Sequence, residues 1–178
     1  MGVRVKLKIK ARNIEVITSA LVNSGFETEE PEILIPPSLA ETLNISGTSI
    51  AEYRVAGGGA TSGIRVDEDI SVKLILPDRT TEEIKAVATI LPGEDEVIIS
   101  DKLASSLGIV ILDPYKGLWC LRDELGKKIR KSSALWPVAN LVAPFSLATL
   151  FIKYLLTTPQ TLQIDLFYFL LILTKSIP

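Results

Sequence analysis

The chain has 178 residues, 47% of them hydrophobic, and 19 basic against 21 acidic side chains give a formal charge of -2; this suits one compact domain with an appendage and leaves no general basic footprint for nucleic acid. Histidine is absent and Cys120 is the only cysteine, which excludes histidine-based catalysis, multi-cysteine or histidine metal sites and an intramolecular disulfide framework, and no cofactor is expected. One methionine among many Ile, Lys and Glu suits a thermophile.

The first twelve residues, MGVRVKLKIKAR, have no continuous apolar stretch of the kind a secretory signal needs, so they are expected to begin a folded domain. Val3, Val5, Leu7 and Ile9 alternate with Arg4, Lys6, Lys8 and Lys10, which is the period of a half-buried strand over 3–11. A second strand over 16–22 runs into Asn23-Ser24-Gly25. Ser38, after Pro36-Pro37, is expected to cap a short helix, SLAETL, that ends at Asn44. Strands at 50–55 and 64–69 flank Gly57-Gly58-Gly59 and read as a hairpin with a mobile glycine tip. A strand over 70–76 puts Val72, Leu74 and Leu76 on one face, and Pro77-Asp78-Arg79 turns the chain into a strand over 84–91. Ser100 is expected to cap a second helix, DKLASSL, ended by Gly108. A last strand pair, 110–112 and 118–121, is joined through DPYKG. Many short strands with two short helices imply a mainly β, small, closed or nearly closed barrel.

The remainder differs in character. Residues 1–122 read as the β domain, 123–135 as a basic linker and 136–178 as an apolar tail expected to be helical. In the tail, 138–156 is a run of 19 residues whose only charge is Lys153, long enough to cross a bilayer core of roughly 30 Å. A second, shorter apolar run, 162–173, contains Asp165. Arg122, Lys127, Lys128, Arg130 and Lys131 precede the tail and would hold the domain on the cytoplasmic side of a membrane. Against a span, Pro137 and Pro144 interrupt the run; buried amphipathic helices, a dimer-forming tail, or a chain end from an altered reading frame are the other readings.

The order ALVNSGFE, EILIPPSLAETLNI, a glycine-tipped hairpin and VIISDKLASSLGIVILDPYKGLW resembles the retropepsin-like aspartic peptidases, in the form of a divergent archaeal-type member, over about residues 3–121. The resemblance implies an acid-protease-type barrel that works as a homodimer on a peptide or protein segment held under a flap. In that family each chain supplies one Asp, and the close pair shares a proton so that one carboxylate acts as base on water and the other as acid. Carried over, Asn23 takes the Asp position, Ser24 the bracing hydroxyl and Gly25 the turn glycine, while Gly57, Gly58 and Gly59 form the flap tip and peptide-binding cover. The sequence departs from the pattern at Asn23, because an amide has no basic lone pair for water at neutral pH. It departs again at Ser100, where the family has glycine after the apolar strand Val97-Ile98-Ile99.

Glu27, Glu29, Glu30 and Glu32 follow the turn. A carboxylate from here, Glu27 or Glu29 first, could rescue the site or share a divalent cation with a dimer mate; the other reading is a solvated acidic loop. Asp101 reads as a helix-dipole partner, Asp67, Asp69 and Asp113 as turn or strand-end residues, and Cys120 as core. Three functions stay open: a dimeric pseudo-peptidase that binds without cutting, an active endopeptidase rescued by a loop carboxylate or by deamidation of Asn23, and a membrane-tethered structural module. The domain is expected in the cytoplasm, anchored to the cytoplasmic membrane if the tail inserts, with no nucleic-acid partner.

Overall fold

The computed structural model describes residues 2–55 and 57–134. It is mainly β: β1 (Arg4–Ala11), β2 (Ile14–Val22), β3 (Glu32–Ile35), β4 (Ser49–Arg54), β5 (Ala60–Arg65), β6 (Ile70–Leu74), β7 (Glu83–Ile90), β8 (Val97–Ile99), β9 (Ile109–Asp113), β10 (Leu118–Leu121) and β11 (Arg130–Lys131), with helices α1 (Pro37–Leu43) and α2 (Asp101–Ser106) and a 3-10 turn at Arg122–Glu124. Six strands close a barrel in the order β3, β8, β2, β1, β6, β7, and β7 returns to β3 by parallel pairing. The β4–β5 hairpin hangs from β7 at one side.

Alternation in the first strand builds the core wall. Val3, Val5, Leu7, Ile9 and Ala11 are buried to 1% exposure or less, and the antiparallel register Ile9↔Val16 carries the same period into β2. Leu74, Val72, Ile33, Ile35, Ile99 and Leu103 complete the interior. Six strands suffice because apolar residues on each inner face fill the lumen with side chains.

Several local expectations are corrected. Ser38 does not cap α1: Pro36 occupies the cap position without a side-chain bond, and Pro37 starts the helix. Proline has its helical φ already set and no N–H to satisfy, so the helix begins one residue earlier and Ser38 falls inside its first turn. Asn44 ends it in the left-handed conformation, φ 52°, and Ser100 caps α2 by accepting from the Leu103 N–H. The second flap strand runs from Ala60, not from residue 64, because Arg54 already pairs with Ala60 across the tip. β3 was not separable in the sequence from the acidic stretch before it; its four residues are all buried.

Residues 123–134, read as part of a linker, carry the end of the 3-10 turn and β11, which pairs with β10. The Arg130 guanidinium is buried, bonded twice to Asp78 at 2.8 Å and to Glu124 at 2.8 Å, and lies 5.8 Å from the Trp119 ring. Lys128 bonds Asp78 at 2.7 Å. Cys120 is buried in β10, and burial pushes its thiol up. The expected tail lies outside the described residues, among which no helix is long and apolar enough to cross a membrane.

Candidate functional site

β2 delivers Asn23 to one mouth of the barrel. Parallel pairing sets Val22 against Ile99, and the Asn23 N–H donates to the Ile99 carbonyl at 3.2 Å. The end of the Asn23 strand and the end of the Val97-Ile98-Ile99 strand are thus side by side. Beyond β2 the chain turns at once: the Asn23 side-chain oxygen accepts from the Gly25 N–H at 3.0 Å, and its carbonyl accepts from the Phe26 N–H at 3.1 Å. This is the turn an Asx side chain makes with its own backbone. It leaves the Asn23 Nδ2 as the amide's remaining donor. Gly25 is not in a left-handed conformation, and a Cβ there would meet only Asn23 Oδ1, at 3.4 Å. Within one chain the turn therefore does not itself demand glycine.

The segment after the turn is tied to α2. The Phe26 carbonyl accepts from the Asp101 N–H at 3.0 Å, and Asp101 Oδ1 accepts from Thr28 N at 3.2 Å and Lys102 N at 2.6 Å. Asp101 is thereby a brace between loop and helix start.

The hairpin lies over the same mouth. Gly57 and Gly58 have φ of 94° and 83°, a region that suits glycine, and the tip is closed by Gly58 N to Val55 O at 3.2 Å and Val55 N to Gly59 O at 3.0 Å. At the other end, Gly63 lets β5 pass close to β7: a Cβ there would sit 2.5 Å from Thr89 Cγ2 and 2.9 Å from the Ile90 carbonyl. Between tip and base, Tyr53 turns inward. Its hydroxyl donates to the Glu32 carboxylate and lies 2.8 Å from Thr89 Oγ1, which donates to Glu32 at 2.9 Å. The Tyr53 ring meets Phe26 edge-on, centroids 5.6 Å apart and planes at 75°. Burial, followed by the Glu32 bond, pushes the Tyr53 phenol well up.

These elements enclose a groove of about 510 Å³. Asn23, Gly25 and Phe26 line it from the turn, Tyr53, Arg54, Val55 and Thr61 from the hairpin, and Leu91, Pro92, Gly93, Glu94 and Ile98 from the far side, over Leu34. Of the residues singled out from sequence, Asn23 and Gly25 line the groove; Ser24 is exposed and outside its lining, and Gly57, Gly58 and Gly59 stay at the exposed tip. Glu27 and Glu29 are exposed and also outside the lining. Glu32, from the same acidic run, is buried in the trio with Tyr53 and Thr89. The carboxylate that does line the groove is Glu94, in the turn between β7 and β8.

Sequence reading missed Phe26, Tyr53, Arg54 and Glu94. The aromatic residues beside the turn and within the hairpin were visible, but nothing local said that they meet. Another cavity, of about 490 Å³, lies between residues 79–84 and 106–123 and holds none of the motif residues. Its Arg79 is paired with Asp123 and its Arg122 with Ser105.

No family model matches the chain, and no curated protein matches it. Among solved structures, the crystal structure of a retropepsin-like aspartic protease from Rickettsia conorii is similar at 15% identity and a TM-score of 0.34, covering 64% of this chain and 87% of that one. At that level of likeness, any function has to be argued from the groove.

Chemically, the groove mixes polar and apolar walls: the Asn23 amide, the Thr61 hydroxyl, one carboxylate and one guanidinium stand beside Phe26, Leu34, Val55 and Ile98. Among the described residues no three His, Cys, Asp or Glu side chains gather to hold a metal ion.

Proposed function

We propose that residues 1–122 form an aspartic-peptidase-like domain that binds an extended peptide or protein segment as a homodimer and has severely impaired hydrolysis. The observation that carries this is the shared groove: the Asn23 turn and the hairpin that covers it line one cleft of mixed polar and apolar walls. The ordered sequence motifs point to the same family. β4 has β5 as its one neighbour among the described strands, so its outer edge is open to a partner strand, and strand addition is how an extended segment would gain main-chain bonds.

The impairment follows from Asn23. Two chains would bring two amides to the place where a shared-proton carboxylate pair activates water, and neither amide takes up that proton. Loss of general acid-base help is on the order of 100- to 10,000-fold.

The test compares native protein with Asn23→Asp on casein and on capped peptides across acid and neutral pH. Native protein is expected at background and the variant to cleave, most strongly on the acid side where one proton is shared. Cleavage by native protein that disappears in Asn23→Ala would refute the pseudo-peptidase reading.

A further inference from the structure

The outer face of the barrel across β2, β1, β6 and β7 is cationic, although the total charge of the chain gives no sign of it. Leu7, Ile9, Val72 and Leu74 are buried, so alternation turns Lys6, Lys8, Lys10 and Lys73 outward. The strand registers fix their order. Lys8 lies between Ile17 of β2 and Lys73 of β6, and Lys73 is opposite Glu83 of β7. One row along, Lys10 lies between Glu15 and Ser71, and Ser71 is opposite Lys85. Lys6 is opposite Ser19. Five lysines thus share this face with two glutamates, on a chain whose formal charge is -2.

Two carboxylates do not balance the face. Glu15 bonds Lys8 at 2.7 Å, and that bond, with the charges of Lys10 and Lys73, holds its carboxyl below the usual range. Glu83 bonds the Ser71 hydroxyl. Lys6, Lys10, Lys73 and Lys85 have no ion pair among the described residues. Like charges directly opposite on neighbouring strands are unfavourable, and an anionic partner relieves the Lys8–Lys73 pair. By contrast, cations near the start of the apolar tail are taken up within the domain: Lys128 and Arg130 bond Asp78, and Arg130 also bonds Glu124.

The described residues end beside the lysine face. The Ser133 N–H donates to the Arg4 carbonyl at 2.8 Å, and Ser133 and Ala134 share a hollow of about 480 Å³ with Lys6 and the exposed Ile17. A few residues further along the sequence begins the apolar run 138–156, whose one charge is Lys153.

We propose that Lys6, Lys8, Lys10 and Lys73, with Ile17 beside them, form a docking face for the anionic headgroup surface of a lipid bilayer. Attraction of each exposed lysine to such a surface is modest, adds over a cluster and is screened by salt. A bilayer fits better than a nucleic acid because a run long enough to enter one follows closely on Ala134. None of the four lysines lines the groove at Asn23, so docking leaves that cleft free.

Flotation of the full chain with phosphatidylcholine vesicles, and with vesicles of equal parts phosphatidylcholine and phosphatidylserine, tests this. The anionic vesicles are expected to bind about tenfold more tightly at low salt, and the advantage should vanish at high salt. Lys10→Gln with Lys73→Gln should erase most of it. The same change of charge made elsewhere, Lys102→Gln with Lys127→Gln on exposed residues of α2 and the loop before β11, should leave it within about twofold. Because an apolar run can hold a chain on any vesicle, lysine acetylation read by mass spectrometry locates the contact on native protein and needs no variant. Lys8, Lys10 and Lys73 should be protected on anionic vesicles, and Lys102 and Lys127 should not. Absence of that protection overturns the docking face whatever the partition, and so does a control pair that removes the preference as fully as Lys10→Gln with Lys73→Gln. A DNA duplex bound more tightly than the anionic vesicles at the same salt overturns the lipid assignment and gives the face to nucleic acid.

Discussion

The hydroxyl of Tyr53, on the hairpin, is hydrogen-bonded to the carboxylate of Glu32, on the barrel strand β3, and Thr89 of β7 touches both. The hairpin also joins the barrel through the short pairing of Ile64 and Arg65 with Ile90 and Thr89, the Arg65–Glu30 ion pair and the Tyr53–Phe26 ring contact. The trio adds a buried attachment close to the cleft. A hydrogen bond to a charged or strongly polar buried group contributes about 1.5–3 kcal/mol.

Tyr53→Phe keeps the ring against Phe26 and removes only the hydroxyl. It is expected to lower stability by about 1–2 kcal/mol and to speed amide exchange across β4 and β5 more than in β1 and β2. Hydrogen exchange read by mass spectrometry checks this. Equal protection of the hairpin in both proteins would mean that the Glu32 bond does not hold it down.

Acid should loosen the side of the barrel where β11 docks. Bonds from Arg130 hold the Asp78 carboxyl well below the usual range, and the same guanidinium lowers Glu124. A carboxylate whose folded pKa is depressed contributes stability that is fully present above its unfolded value and is lost as pH falls through the folded value. Stability should hold near neutrality and decline below about pH 5; Arg130, raised further by these partners, stays charged throughout and adds no pH slope of its own. Urea midpoints measured from neutral to acid pH should fall less steeply for Asp78→Asn than for native protein, and parallel curves would show that this network does not govern acid sensitivity.

Gly63 tests the close crossing of hairpin and barrel. An alanine methyl would press on Thr89 and on the Ile90 carbonyl, and such overpacking costs typically about 1–3 kcal/mol. Gly63→Ala is expected to lower the urea midpoint and weaken any peptide binding together, since Thr89 belongs to the trio that positions Tyr53. Unchanged stability would show that β5 shifts away freely.

Ser100 and Ser38 should separate sharply. Ser100 Oγ accepts from both the Leu103 and the Glu32 N–H groups at 3.1 Å, so Ser100→Ala leaves two donors unsatisfied at a buried position. A loss of about 2–3 kcal/mol is expected. Ser38→Ala, exposed in the first turn of α1, should stay within about 0.5 kcal/mol. Thermal denaturation of the two variants side by side decides it; similar losses would contradict the capping assignment.

Features governed by nearest neighbours were legible in the chain itself. The alternation from Val3 to Ala11 set which face of β1 is buried, because side chains alternate along any strand. Asn44 and Ser100 marked helix ends through bonds that span a few residues, and the glycines after Val55 marked a hairpin tip. What those rules left undecided was long-range. Parallel pairing of β2 with β8 and of β3 with β7 brings together segments more than 50 residues apart. That closure sets Asn23 beside Ile99 and puts Glu94 and Arg54 on one cleft. It also divides charges that look alike in sequence: Glu32 is buried between two hydroxyls while Glu27 and Glu29 face solvent, and Arg130 is buried between carboxylates within a run that reads as a basic linker. Local spacing fixes which face or turn a residue occupies, but the environment of a charge is set by whichever distant strand packs against it. The turn at Asn23, Ser24 and Gly25 is thus a matter of neighbouring residues, whereas the presence of Arg54 and Glu94 on the same groove comes from strand closure.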